Sequence, residues 1–294
     1  MKIDPKKTDL IKVQGLMAGS IAPRPIALAS TINKQGLPNL SPFSFFNSFG
    51  VNPPILIFSP SRRGRDNSTK HTFENIKAHK EVVINVVTFD MTHQVNLSSS
   101  EYPDGINEFE KSGLSALPSD LVKPFRVKES PVNFECKVIN IIETGTQGGA
   151  GNLVICEIVM IHVDEAILDE NGFIDADEID LVGRLGKNNY VRASGSALFN
   201  IDKPGLKLGI GINSLPDHII KSEVLSGNEI GQIGMLTSFP SNEEILQTKE
   251  MDEVKEILVI KNQDEKRLKI HRIASFLIKR GKINDALKVL MTLP

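Results

Sequence analysis

Two long apolar runs, VNFECKVINII (132–142) and LVICEIVMIHV (153–163), are rich in β-branched residues and separated only by ETGTQGGAGN. So short and glycine-laden a connection brings them side by side as an antiparallel hairpin. Three earlier runs share the texture: RPIALASTI (24–32), PPILIFSPS (53–61) and EVVINVVTF (81–89), each bounded by Gly, Pro or Asn. Two helical segments are interspersed. TFENIKAH sets Phe73 and Ile76 three apart on one side, and GINEFEKSGL ends near Gly113. Strands in this order, without alternating βαβ units, predict a mainly β fold with some α: a small closed barrel carrying helical insertions.

After NIDKPG the texture changes, which predicts two domains, 1–204 and 205–294. LPDHIIKSEVLSG places Pro216 at a helix start and Gly227 just past its end. Ser241 and Glu244 stand in capping-box spacing. The stretch from Asp264 reads as a helix, a stop at Gly281 and a second helix, with apolar positions at Leu268, Ile270, Ile273, Phe276 and Leu277, then Ile283, Ala286, Leu287 and Leu290. One such αα-hairpin cannot cover its own apolar face, and no repeat of it occurs, so it is expected as a C-terminal appendage packed on the barrel or on a second subunit.

Composition narrows the function. Of 294 residues, 40% are hydrophobic and 24% charged, and the net charge is −2. No global field favours nucleic acid or anionic lipid, so any basic site must be local. The polar start MKIDPKKTDLIKVQ lacks a secretory core, no apolar stretch is long enough to cross a bilayer, and only Cys136 and Cys156 are present. A cytoplasmic setting with buried free thiols is expected, although a bridge between neighbouring strands is an alternative. No tryptophan is available for an aromatic cage.

The chemistry concentrates in residues 39–76. Arg62, Arg63, Arg65 and Lys70 stand among Ser61, Ser68 and Thr69, just before a helix beginning at Thr72. Guanidinium groups beside unpaired helix N–H groups favour an oxyanion, while the plain alternative is a solvated basic loop. One strand earlier, NLSPFSFFNS offers small residues that let a flat ligand approach the main chain. Ser41, Ser44 and Asn47 supply donors and acceptors for its edge. Strict alternation would put Phe43 and Phe45 on one side and Phe46 on the other, as core residues.

The segments APRPIALASTINKQGLPNLSPFSFFNSFGVNPPILIFS, KHTFENI, EVVINVV, YPDGINEFEKSGL, ESPVNFECKV and GRLGKNNYVR, in that order, resemble the flavin reductase-like family, and within it the flavoredoxin-type branch. The resemblance spans about residues 20 to 200. It implies an FMN-binding split β-barrel of Greek-key type and a homodimer with FMN at the interface. It further implies hydride transfer to the flavin from NADH or NADPH. By position, Asn39, Ser41, Ser44 and Asn47 would line the isoalloxazine. Ser59, Arg63, Lys70 and Thr72 would hold the phosphate, with Arg24 close by. The family usually has Lys-Asp-Thr where this chain has Lys70-His71-Thr72, so an imidazole replaces an acid beside the phosphate.

Other motifs carry less. LDENGFIDADE resembles a calcium loop, but its first position falls on Ile167 and a strand precedes it, so an acidic hairpin loop is expected. His71, His79 and His93 lack metal-ligand spacing, no nucleophile elbow or phosphate-binding glycine loop occurs, and Tyr190 reads as either a structural hydroxyl or a ligand contact. With no acid–base dyad in evidence, the cofactor carries the chemistry. The chain is expected to be an NAD(P)H-dependent flavin oxidoreductase with no metal. The alternative is a flavoredoxin-like electron carrier that serves a protein partner with little nicotinamide turnover.

Overall fold

The computed structural model describes residues 1–201, 203, 205 and 207–294, and the chain divides into two compact units, Met1–Phe199 and Asn200–Pro294. The domain boundary expected at 204 falls on Pro204, outside the described residues.

The first unit opens with α1 (Leu10–Ser20) and is built on a seven-stranded antiparallel sheet. Its strands begin with β1 (Ala27–Ile32), β2 (Pro38–Phe43), β3 (Phe46–Val51) and β4 (Pro54–Phe58). Helix α2 (His71–His79) leads to β5 (Glu81–Val86), then α3 (Thr92–Leu97) and α4 (Glu108–Ser112) follow. A small ribbon, β6 (Ala116–Leu117) with β7 (Arg126–Val127), precedes the long hairpin β8 (Val132–Glu143) and β9 (Asn152–Val163). After α5 (Ala176–Ile179), the unit closes with the hairpin β10 (Leu181–Arg184) and β11 (Tyr190–Ala193).

The order across the large sheet is β2-β1-β5-β8-β9-β4-β3, so the two edges are consecutive in sequence. Only Ser44 and Phe45 separate the end of β2 from the start of β3. A flat sheet of this width would hold its edges roughly 29 Å apart, whereas that link spans at most about 11 Å. The sheet therefore rolls up. Among the described residues β2 and β3 do not pair, so the barrel stays open along one seam rather than closing, as a split barrel does. Within it, β5, β8 and β9 are consecutive neighbours and β4 lies beside β9, a Greek-key arrangement.

The barrel interior is filled by Phe43, Phe58, Phe73, Ile76, Ile84 and Val154 among others. Phe43 and Phe58 meet with ring centroids 5.5 Å apart. Strand β1 is buried along its whole length because its other face is covered too, with Leu28 joining Val95 and Phe109 from α3 and α4. Phe46 packs against the same interior as Phe43, while Phe45 is 43% exposed. This overturns the expected alternation, because the chain crosses between sheet edges at Ser44–Phe45 and the two-residue period restarts there. Cys136 and Cys156 are buried free thiols; they face Ile158 and Val138 rather than each other. In the acidic loop, Asp169 accepts from the N–H groups of Asn171 and Phe173, and Leu168 bridges Ile174, which is a hairpin turn.

The second unit is helical: α6 (Asp217–Ile220), α7 (Gly227–Gly234), α8 (Asn242–Lys249), α9 (Asp252–Leu258), α10 (Gln263–Lys279) and α11 (Ile283–Leu290). Capping boxes start α7 at Ser226–Glu229 and α8 at Ser241–Glu244, and Gly281 turns α10 into α11 with φ at 75°. Gly227 begins α7 and does not stop the preceding helix. That helix ends early, because the Ser222 hydroxyl takes the N–H groups of Val224 and Leu225 and Ser226 caps anew. The αα-hairpin needs neither barrel nor second subunit to cover its face. Ile270, Ala274, Ile278, Leu287 and Leu290 share one core with Ile219, Ile233 and Val254 of the same unit, while Phe276 is exposed. Among the described residues no helix is long and apolar enough to cross a membrane.

A polar chain runs through this helical core. The Ser222 hydroxyl already accepts two N–H groups, so its proton goes to Nδ1 of His271 at 2.7 Å. Nε2–H of His271 then donates to Nδ1 of His218 at 3.1 Å, leaving both rings neutral. Burial, with His218 and Arg267 nearby, pushes His271 down to about 4. Because the folded value lies below the unfolded one, the stabilisation is complete above about pH 6.5 and is lost as pH falls toward 4, by about 3 kcal/mol. Protection factors across α10 and α11 in the full chain, with intrinsic exchange rates divided out, are expected to fall steeply between pH 6.5 and 4.5. His271→Gln is expected to lower protection at neutral pH yet flatten that slope; an unchanged slope would refute the relay.

Candidate functional site

The seam and the loop after β4 stand together. Residues Pro42 to Phe45, Ser59, Arg63 and Lys70 line a cavity of about 370 Å³. The loop is organised internally before any ligand is considered. Arg63 donates from Nη1 to the Ser68 hydroxyl (3.0 Å) and to the Thr69 carbonyl, and from Nε to Glu101 (3.2 Å). Arg65 reaches the other oxygen of Glu101 at 2.8 Å and also Asp66. Asp66 accepts from the Ser68 hydroxyl and N–H, which with Arg65 holds its carboxyl down at about 2. Lys70 is half-buried and pairs with no acid among the described residues; burial first, then Arg63, lowers its ammonium below the usual lysine value. It occupies the N-cap of α2 without capping it, so the first N–H groups of that helix keep their affinity for negative charge.

The glycine-rich turn of the β8–β9 hairpin braces this loop. Gly149 N–H donates to the Arg62 carbonyl and Arg62 N–H to that of Ala150. A Cβ on Gly148 would lie 3.0 Å from the Arg63 carbonyl oxygen and 3.2 Å from Gly64 Cα, so only glycine allows this approach. Ser59 is buried, and its hydroxyl accepts from Asn152 N–H at 3.1 Å, locking the end of β4 to the start of β9.

A second, narrow cleft of about 20 Å³ shares Arg63, Lys70 and Glu101 with the first and is also lined by Ser41, His71, Thr72 and residues 98–102. Here Asn39 and Thr72 are buried and turned toward each other. Asn39 Oδ1 accepts from the Thr72 hydroxyl at 2.9 Å, and its amide donates to Glu108 at 2.9 Å. Glu108 also takes the Leu40 N–H, and burial pushes its carboxyl above the ordinary range. These bonds fix the register between β2, α2 and α4, so Asn39 and Thr72 act chiefly by position.

The expected residues are thus partly gathered. Ser41, Ser44, Ser59, Arg63 and Lys70 converge on the two connected spaces, with Asn39 and Thr72 in their walls. Arg24 reaches the site through Ser44, which lines the first cavity. Its guanidinium is spent on the carbonyls of Ala18, Ile21 and Leu185 and on the Ser44 hydroxyl at 3.4 Å. Asn47 is exposed on edge strand β3 and is absent from the lining of both spaces. Sequence reasoning missed Glu101 and the Ser98–Ser100 run. The pairing of SSSEYPD with the arginines is long-range and leaves no local pattern.

Asp120, Glu135 and His162 also lie close enough to share an ion. Glu135 is fully buried, however, and its two oxygens already accept from the N–H groups of Asp120, Leu121 and Val122 and bond His162 at 2.7 Å. With its lone pairs taken, the carboxylate serves as a loop anchor.

The flavin reductase like domain matches residues 18–178, wholly within the first unit. A protein of Aquifex aeolicus (strain VF5) is 37% identical over 196 residues, covering 67% of this chain and 97% of its own length. Nitrilotriacetate monooxygenase component B from Bacillus cereus superposes with a TM-score of 0.64 at 27% identity, over 68% of this chain and 98% of the other. A Shewanella frigidimarina NCIMB 400 protein with a split barrel domain gives 0.58 at 26% identity, over 69% and 99%.

Glu101 occupies the mouth of the basic loop as an internal anion. Glu101→Gln is expected to tighten binding of inorganic phosphate severalfold, read by titration of the full chain at low ionic strength. Equal affinity in variant and parent would show that the carboxylate does not compete for the arginines.

Proposed function

The chain belongs to the flavin reductase-like family, and on that premise we propose that it is an FMN-binding oxidoreductase taking hydride from NADH or NADPH. The observation that supports this most is the contiguity of the barrel seam with the basic loop. A cavity of about 370 Å³ lined by Pro42 to Phe45 suits a flat ring, and Arg63 and Lys70 line the same cavity for a phosphate. Bound FMN supplies the redox chemistry.

The residues of the chain bind, orient and exclude water. Lys70 and Arg63, with the open N–H groups of α2, neutralise the phosphate dianion. Ser41 and Ser44 meet the ring edge, the latter held by Arg24. Ser59 supports the loop, while Asn39 and Thr72 keep β2 and α2 in register through Glu108. Phe45 supplies apolar cover at the seam.

The reading includes a homodimer. Edge strand β3 leaves Phe49 64% and Val51 90% exposed. A second copy laid there would cover both and bring Asn47 toward the ring of its neighbour. A cytoplasmic setting accords with the two free thiols, and a redox partner protein would receive the electrons.

Arg63→Ala combined with Lys70→Ala is expected to yield a folded but colourless protein, compared with a yellow parent by absorbance and circular dichroism. Full FMN occupancy in that variant would remove the phosphate assignment. Steady-state oxidation of NADH and NADPH by the loaded parent distinguishes the oxidoreductase, which turns over, from an electron carrier, which does so only negligibly.

A further inference from the structure

The helical unit holds a cavity of its own, of about 580 Å³. Its polar lining comes from two stretches distant in sequence: Asp217, His218 and Lys221 in and beside α6, and Gln263 and Arg267 from the first turns of α10. Pro216 and Leu293 supply an apolar flank.

The polar chain of this unit ends at the cavity. Ser222 gives its proton to His271, and His271 gives its own to Nδ1 of His218, so His218 carries its proton on Nε2. Burial, then the charge of Arg267, holds His218 below the usual histidine range, which keeps the ring a neutral donor at neutral pH. That Nε2–H is shielded from solvent and has no partner among the described residues, an uncommon state for a buried donor. The Ser222 end of the chain is satisfied by two backbone N–H groups, so the one open terminus belongs to a residue of the cavity lining.

The neighbours of His218 are mostly donors as well. Lys221 and Arg267 are cationic and Gln263 carries an amide, against the single carboxylate of Asp217. Lys221 pairs with Asp217 at 2.6 Å, and Arg267 with Asp264 at 3.0 Å through Nη2 alone. These pairs are exposed and cost little to break, so either cation can turn to a bound anion. Any solvated cleft between helices gathers lysines and arginines. It does not also present a shielded imidazole N–H whose acceptor is missing from the protein.

We propose that this cavity binds a small phosphate monoester, its dianion held by Arg267, Lys221 and the Nε2–H of His218 and its organic body lying against Pro216 and Leu293. The proposal is independent of the flavin reading, to which no residue of this unit contributes. Three separate donor groups match the three terminal oxygens of a phosphate, whereas a carboxylate offers two. The volume exceeds what inorganic phosphate fills and lies within the range of small-molecule sites. Because Nε2 is shielded, a phosphate oxygen reaches it as the long side chains of Lys221 and Arg267 swing away from their carboxylate partners.

The full chain is titrated with phenyl phosphate and with inorganic phosphate, followed by the imidazole proton–nitrogen signals of His218, which report this cavity and not the basic loop. Those signals are assigned by their loss in His218→Gln. Phenyl phosphate is expected to shift the Nε2–H signal and to bind at least about tenfold more tightly than inorganic phosphate. Arg267→Glu and Lys221→Glu, both at exposed positions, are each expected to weaken phenyl phosphate about tenfold or more with unchanged circular dichroism. A His218 signal that stays in place, or equal affinity in the parent and a folded variant, overturns the site. Equal affinity for the two probes overturns the ester. Neither outcome bears on the seam.

Discussion

Ser44 and Phe45 carry the chain from one edge of the seven-stranded sheet to the other, and the remainder of the first unit follows from that short link. It forces the sheet to roll, since no flat arrangement brings the edges so close. It also prevents closure, because the crossing residues cannot themselves serve as ladder partners for both edges. A seam results at which Phe45 is exposed, while Phe43 and Phe46 anchor it to the interior on either side of the crossing.

Charge placement follows the same logic. The loop after β4 starts beside β9 and ends at the N-terminus of α2, so it is pinned at both ends by secondary structure. Three arginines and a lysine in such a span would repel one another. The structure answers with Glu143 of β9's partner strand β8, Glu101 of a neighbouring loop and Asp66 of the loop itself. The carboxylates are partly exposed, so each pair individually contributes little to stability. Their effect is on geometry, holding the guanidinium groups apart while Lys70 has no ion pair among the described residues. A phosphate arriving there meets a cation already partly stripped of water, whose desolvation has been met in folding.

Much of this was legible from the chain alone where the signal was local. The β8–β9 hairpin declares itself through two β-branched runs and a glycine turn, the Ser241 capping box through its spacing, and the α10–α11 turn through Gly281. The basic loop and the serine-rich segment were both found, but their chemistry was not fully apportioned. Asn39 and Thr72 present ligand-like side chains in sequence, yet Glu108, 69 residues from Asn39, turns them into a buried network. Arg24 is likewise engaged by the carbonyls of Ala18, Ile21 and Leu185, the last of them 161 residues away. Helix α1 buries no residue of its own and has no apolar stripe to announce it; only the Asp9 cap marks its start. Partners remote in sequence decide which polar groups remain free for function, and no spacing rule encodes them.

The helical unit poses the opposite problem. Its core lies within residues 200–294, α7, α8 and α10 are capped by the side chains of Ser226, Ser241 and Asn262, and its polar chain runs from Ser222 through His271 to His218 without leaving it. An element that needs no outside surface to stabilise it is not explained by the folding of the barrel. Nor does the flavin chemistry explain it, for every residue assigned to that chemistry lies before Asn200. Any role for the second unit must therefore be written on its exposed face. There Phe276 stands in contact with Arg280, its ring 4.2 Å from the guanidinium carbon, an apolar and basic pairing on the surface of a helix whose buried side is already satisfied.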